Sequence, residues 1–194
     1  TCPDTGMAGA SRSLYMDGNA TIIAANKLLA AMRKEDGTLR TYDEMKAEGI
    51  ETKYLGRYET NTTPGLCRLD PNTGIGDPTP AFTYCLNLAE VEVDTKTGKT
   101  TVLKFTCVDF VGRIGNIDAV NGQAYSGIMH GIGFALKEDY ADVKKHANMF
   151  GAGTSYIKDV PDDINLIHID GAISDGPFGS SGASEAFQAS GHCA

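Results

Sequence analysis

Between Phe82 and Phe110 the chain spells out a hairpin, and no other stretch limits the fold as strongly. Phe82, Tyr84, Leu86 and Leu88 share one parity, and Val91 and Val93 take the other. Apolar residues at period two predict a strand. The parity switch near Ala89 predicts a bulge or bend, because one extra residue sends every later side chain to the opposite face. Asp94 to Gly98 supplies the turn, and Thr100 to Phe110 returns as the second strand. A short apolar strand follows much later, at Ile164, Leu166, Ile167 and Ile169.

Helical signals lie on both sides of the hairpin. Ile22, Ala25, Leu29 and Met32 fall at helical spacing with Lys27, Arg33 and Lys34 outside, Gly37 as the stop, and Ser11 or Ser13 as a plain N-cap. Thr41 and Glu44 have capping-box spacing, for a short helix ending near Gly49. Residues 51–60, with Tyr54, Leu55 and Tyr58 among charges, read as a strand, and 61–80 as a long loop. Loops of that length in compact domains are usually functional or belong to interfaces. Asp118 is placed to cap a helix from Ala119 to about Asp139 that contains Gly122, Gly127, Gly131 and Gly133. Each interior glycine costs ~1 kcal/mol relative to alanine. Gly127 and Gly131, one turn apart, therefore predict a face that another backbone or a flat ligand approaches closely. His130 on that helix reads as a packed residue, since no second metal ligand is spaced to join it. Asp139 to Met149 reads as a solvated segment. Strands and helices together place the chain in the α+β (mixed α/β) class, with residues 1–194 as a single segment.

Charge and cysteine usage narrow the function classes. A net charge of −8 opposes a polyphosphate partner, so nucleic acid is not expected. No apolar run approaches the ~18–20 residues needed to span a bilayer, so no membrane partner is expected. The opening Thr1-Cys2-Pro3-Asp4 carries no visible signal peptide. Five dispersed cysteines (Cys2, Cys67, Cys85, Cys107, Cys193) read as reduced thiols of a cytoplasmic protein. Neither they nor the four histidines have iron–sulfur or zinc spacing, so a metal would not be held by this chain's own Cys and His. Ser155-Tyr156-Ile157-Lys158 has the form SxxK but lacks its SDN and KTG partners and is discounted.

Three runs of small residues stand at predicted helix starts: Gly9-Ala10-Ser11-Arg12-Ser13, the Gly122-Gln123 region, and Gly176-Pro177-Phe178-Gly179-Ser180-Ser181-Gly182-Ala183-Ser184-Glu185. Such loops offer backbone N–H groups and hydroxyls to an anionic ligand. Composition leaves open that the serines are ordinary caps and that Glu185 merely complements a helix dipole.

In this order, with Gly127, His130, Gly131 and Gly133 between them, the three runs closely resemble the molybdenum-binding part of the xanthine oxidase family. The likeness spans nearly the whole chain and is nearest to the bacterial aldehyde oxidoreductases of sulfate reducers. His130, where many relatives have Gln, and the Ser-Ser-Gly-Ala-Ser approach to Glu185 favour the aldehyde branch over the purine branch. The resemblance implies the C-terminal portion of a large molybdopterin-binding domain, with helix N-termini and Gly-rich loops around the cofactor. It implies molybdopterin cytosine dinucleotide with molybdenum ligated by the pterin dithiolene and by no protein side chain. Gly9, Ala10, Ser11, Arg12, Ser13, Asn116, Gly122, Gln123, Gly182 and Ser184 are the implied cofactor contacts. Glu185 is the implied general base, taking a proton from a metal-bound hydroxyl whose oxygen attacks the aldehyde carbon. Burial beside an anionic cofactor is expected to raise its pKa and make it a better base. The resemblance further implies a longer polypeptide with two 2Fe-2S clusters, a small aldehyde substrate, a redox protein acceptor and a homodimer. The alternative is a non-catalytic nucleotide- or phosphate-binding module, or an inactive truncated relative. Molybdenum content separates these readings.

Overall fold

A computed structural model describes residues 9–60, 70, 72–76, 79 and 81–192. Contacts within the chain gather into two compact units, Thr1–Phe82 with Asp175–Pro177, and Thr83–Ser174 with Phe178–Ala194.

In the first unit, α1 (Ser13–Met32) begins at Arg12, and no side chain caps it. Neither Ser11 nor Ser13 takes the expected capping role: Ser11 sits in a left-handed turn and Ser13 is already helical. The helix stops at Met32, short of Gly37, because Arg33 leaves in an extended conformation and pairs with Leu39. Gly37 serves that tight turn instead. α2 (Tyr42–Ala47) carries the expected capping box, with Thr41 Oγ1 accepting from Glu44 N at 3.3 Å and Glu44 Oε2 accepting from Thr41 N at 2.7 Å.

Residues 51–60 form no strand. They run extended along α1, which explains why alternate side chains are exposed and half-buried. Lys27 Nζ donates to the Leu55 carbonyl at 2.9 Å, and Tyr58 meets Tyr15 edge to face at 6.1 Å. Gly56 makes the approach possible, since a Cβ there would fall 1.8 Å from the Ala20 carbonyl oxygen. A single extended segment on a helix repeats every second residue, as a strand does. The loop expected at 61–80 lies largely outside the described residues; Asn72, Thr73 and Gly76 are in turn or bend conformation.

The second unit is a three-stranded sheet, β1 (Tyr84–Val93), β2 (Thr100–Phe110) and β3 (Asp163–His168), in that order. β1 and β2 are antiparallel, and the bulge falls between Glu90 and Val91, where Leu103 is the extra residue opposite them. β3 runs parallel to β2. That connection needs a long crossover, built from α3 (Ile117–Leu136), α4 (Met149–Ala152) and the 3₁₀ turn Ile157–Asp159. α3 starts two residues earlier than expected because Asn116, not Asp118, caps it: the Asn116 side chain accepts from Ala119 N at 3.0 Å. Asp118 lies in the first turn.

Val102, Phe105, Cys107, Val111, Ala124, Ile128, Ile132 and Phe187 form the core between sheet and helix. Cys85 and Cys107, twenty-two positions apart, bring their sulfurs to 3.4 Å on the inner sheet face. Tyr84, Leu86 and Leu88, the more apolar parity of β1, point away from this core and are exposed.

Candidate functional site

The run that ends in Glu185 is pinned in place. The Gly179 carbonyl accepts from Arg113 N at 2.8 Å and from Ile173 N at 3.0 Å. Ser180 Oγ donates to the Arg113 carbonyl at 2.7 Å, and Gly112 and Ser180 form a β-bridge. Small residues here serve a tightly held connection, which the resemblance alone did not reveal.

From that anchor the chain enters a 3₁₀ helix, Ser184–His192, with Glu185 in its first turn. A helix start at or just before Glu185 was expected, and it is 3₁₀ in form. Phe187 is buried in the core, and its backbone lies on α3 at Gly127. A Cβ at position 127 would sit 2.5 Å from Phe187 Cβ and 2.6 Å from its carbonyl oxygen. The close backbone approach predicted for the Gly127 face is therefore made by the turn that carries the carboxylate. Phe187 inward and Glu185 outward follow from their spacing on one short turn: one anchors, the other is presented.

Glu185 itself is exposed. Gly122 and Gln123 are exposed in the second turn of α3, and Gly182 and Ser184 are half-buried in the run before Glu185. Asn116 commits its side-chain oxygen to the α3 cap, which leaves its amide NH₂ as the group to offer a ligand. His130 is exposed, a correction to its reading as packed: the core-facing positions of α3 are Ala124, Gly127, Ile128, Gly131 and Ile132. Ser155 Oγ donates to the Met129 carbonyl at 2.8 Å, a packing role that agrees with discounting SxxK.

Gly9, Ala10, Ser11, Arg12 and Ser13 belong to the first unit and are described by themselves. Ala10 and Ser11 hold φ of +54° and +51°. Left-handed conformations cost non-glycine residues about 1–2 kcal/mol each, and such strain concentrates at ligand-holding positions. The run leads into the side-chain-uncapped start of α1, whose first-turn N–H groups point toward it.

A cofactor held through backbone N–H groups, hydroxyls and amides fits this donor set. Among the described residues no group of three or more His, Cys, Asp or Glu could hold a metal ion directly. No helix among them is long and apolar enough to cross a membrane. Sequence reasoning missed Phe187 as the anchor of the Glu185 turn, and it missed the cluster in which buried Asp109 meets the half-buried His168 and Asn121. The available signal was a carboxylate at a core-facing parity position of β2, in line with Phe105 and Cys107.

Residues 1–161 match the family described as molybdopterin cofactor-binding domain. Over its 194 residues the chain is 42% identical to an aldehyde oxidoreductase of Megalodesulfovibrio gigas, covering 100% of this chain and 21% of that protein. The solved aldehyde oxidoreductase from Desulfovibrio gigas aligns with a TM-score of 0.88 at 41% identity, over 98% of this chain and 21% of that one. The aldehyde oxidoreductase from Desulfovibrio desulfuricans gives a TM-score of 0.88 at 42% identity, over 99% and 21%. The chain thus spans about a fifth of the length of these relatives.

Proposed function

The chain belongs to the molybdopterin cofactor-binding domain family, and on that premise we propose that it is a segment of a molybdenum-dependent enzyme that oxidises an aldehyde to a carboxylic acid. Its likeness to aldehyde oxidoreductases along its whole length supports the substrate class. The observation that carries the reading is the mounting of Glu185: an exposed carboxylate on a turn locked to the core through Phe187 and Gly127.

When bound, the molybdenum centre supplies the two-electron oxidation. Glu185 acts on the proton, its carboxylate accepting it from the oxygen that adds to the aldehyde carbon. Gln123 and Asn116 offer side-chain amides, and Gly122, Gly182 and Ser184 offer backbone and hydroxyl contacts to the cofactor. In the first unit, Gly9, Ala10, Ser11, Arg12 and Ser13 are a contact loop in their own right, with Ser11 and Ser13 hydroxyls and the start of α1 as donors. The cytosine dinucleotide form of the cofactor, two 2Fe-2S clusters, a redox acceptor, a homodimeric enzyme and a cytoplasmic setting belong to the same proposal.

The test uses the full native polypeptide. Glu185→Gln is expected to lower turnover at least about 100-fold, as loss of a general base does, while molybdenum and pterin per chain stay at the parent level. Retained turnover would remove Glu185 from the chemistry. A native protein without molybdenum that binds a simple nucleotide would instead favour the non-catalytic module.

A further inference from the structure

β2 and β3 run in parallel register, so that Asp109 lies beside His168 at the ends of the two strands. His168 Nδ1 is 2.6 Å from Asp109 Oδ2, and its Nε2 is 2.7 Å from Asn121 Oδ1 on α3. Asp109 is 1% exposed, and its other oxygen, Oδ1, is buried without a hydrogen-bond partner. Burial pushes the Asp109 carboxyl above the usual range, against the opposing pull of His168. Both ring nitrogens face oxygen atoms, so either each carries a proton or the Asn121 amide is turned to donate. In both states the ring bridges two strands to one helix.

The place of that bridge on α3 is what gives it a task. The first fully buried side chain of α3 is Ala124, and Ile117, Asp118 and Ala119 are exposed. In the two turns that precede Ala124, Val120 is the residue that packs against the core, and it is only half-buried. Asn121 lies in this stretch, two residues before Gln123 and five after the cap Asn116.

We propose that Asp109, His168 and Asn121 are positioning residues, a polar clamp rooted in buried Asp109 that sets the first two turns of α3 and thereby aims Gln123 at the cofactor. Asp109 orients the imidazole from the sheet side. The imidazole then holds Asn121, and the peptide planes of the helix carry that constraint to Gln123. The aim of the clamp rests on the reading of Gln123 as a cofactor contact given above; the clamp itself rests on the two hydrogen bonds.

The test measures molybdenum and pterin per folded chain in the full-length protein. Asn121→Leu keeps the volume and removes the acceptor. It is expected to keep the parent circular dichroism and melting temperature yet load cofactor about tenfold less well, in line with groups that orient the ligands of a bound centre. Asn121→Asp restores an oxygen at the same place and is expected to load like the parent, a rescue that loss of general stability would not show. Parent-level loading in Asn121→Leu, or no rescue by Asn121→Asp, overturns the clamp. Should Asn121→Leu not fold, His168→Gln, which reaches only one of the two partners, is expected to show the same tenfold loss, and parent-level loading there overturns the clamp equally. Gln123→Ala separates the two readings. If it loads normally while Asn121→Leu does not, the clamp stands and the role of Gln123 falls.

Discussion

Gly127 and Phe187 show how one residue without a side chain sets the place of another's carboxylate. A methyl group at 127 would lie within 2.6 Å of the Phe187 backbone, which cannot yield as a flexible side chain would. Gly127→Ala is therefore expected to destabilise the second unit by about 1–3 kcal/mol, as overpacking does, and to lower turnover by displacing Glu185. Denaturant unfolding and steady-state kinetics on the same preparation read both effects. Phe187→Ala empties a core position and is expected to cost about 3–5 kcal/mol. At this scale the sequence was partly legible. The Gly127 and Gly131 face announced a close approach, but nothing marked Phe187 as its partner, because the contact joins positions sixty residues apart. Asp118 and Asn116 are both competent caps, and Asn116 is the one the helix uses.

The capping box of α2 lets an element be read through its titration. Glu44 accepts from Lys34 Nζ at 2.8 Å and from Thr41 N, and these hold its carboxyl at about 2 instead of the ordinary 4.5. Lys34 is shifted upward by the same contact. The sign follows from the lowered value. The folded chain favours the ionised form, so the stabilisation is complete above pH 4.5 and is lost as pH falls toward 2. Acid unfolding of the first unit is expected to begin at higher pH in Glu44→Gln than in the parent, as measured by circular dichroism; coincident curves would show that the contact is solvent-screened to nothing. Thr41→Ala is expected to cost about 1 kcal/mol at neutral pH. The capping box was readable because it is local, four residues in a row. The hairpin was readable for the same reason; parity placed its bulge near Ala89, but the extra residue is Leu103 on the opposite strand, which the parity of β1 did not mark. Residues 51–60 were not, since an extended segment lying on α1 alternates its exposure as a strand does.

Across the whole molecule, the outer face of the sheet is the feature with a consequence. Tyr84, Leu86 and Leu88 on β1 and Ile167 on β3 are exposed, while Cys85, Asn87 and Ala89 on the opposite face of β1 are half-buried. A contiguous apolar sheet face in water favours association. The 194-residue polypeptide produced alone is expected to self-associate, and the pair Leu86→Thr and Leu88→Thr to reduce that, by size-exclusion chromatography. A sharp monomer peak for the parent would contradict it.

What depends on neighbours along the chain was legible in it: a helix on each side of the hairpin, though not where each helix ends, the box at Thr41, the hairpin, and the order of small-residue runs that marks the family. The packing of the elements set which parity of β1 faces the core, that the Gly127 face receives the Glu185 turn, and that Asp109, His168 and Asn121 meet. The reason is physical. Periodicity and capping are local and leave a trace in consecutive residues, whereas a side chain's partner across β2, β3 and α3 depends on how those elements are stacked, and that is written in no single stretch.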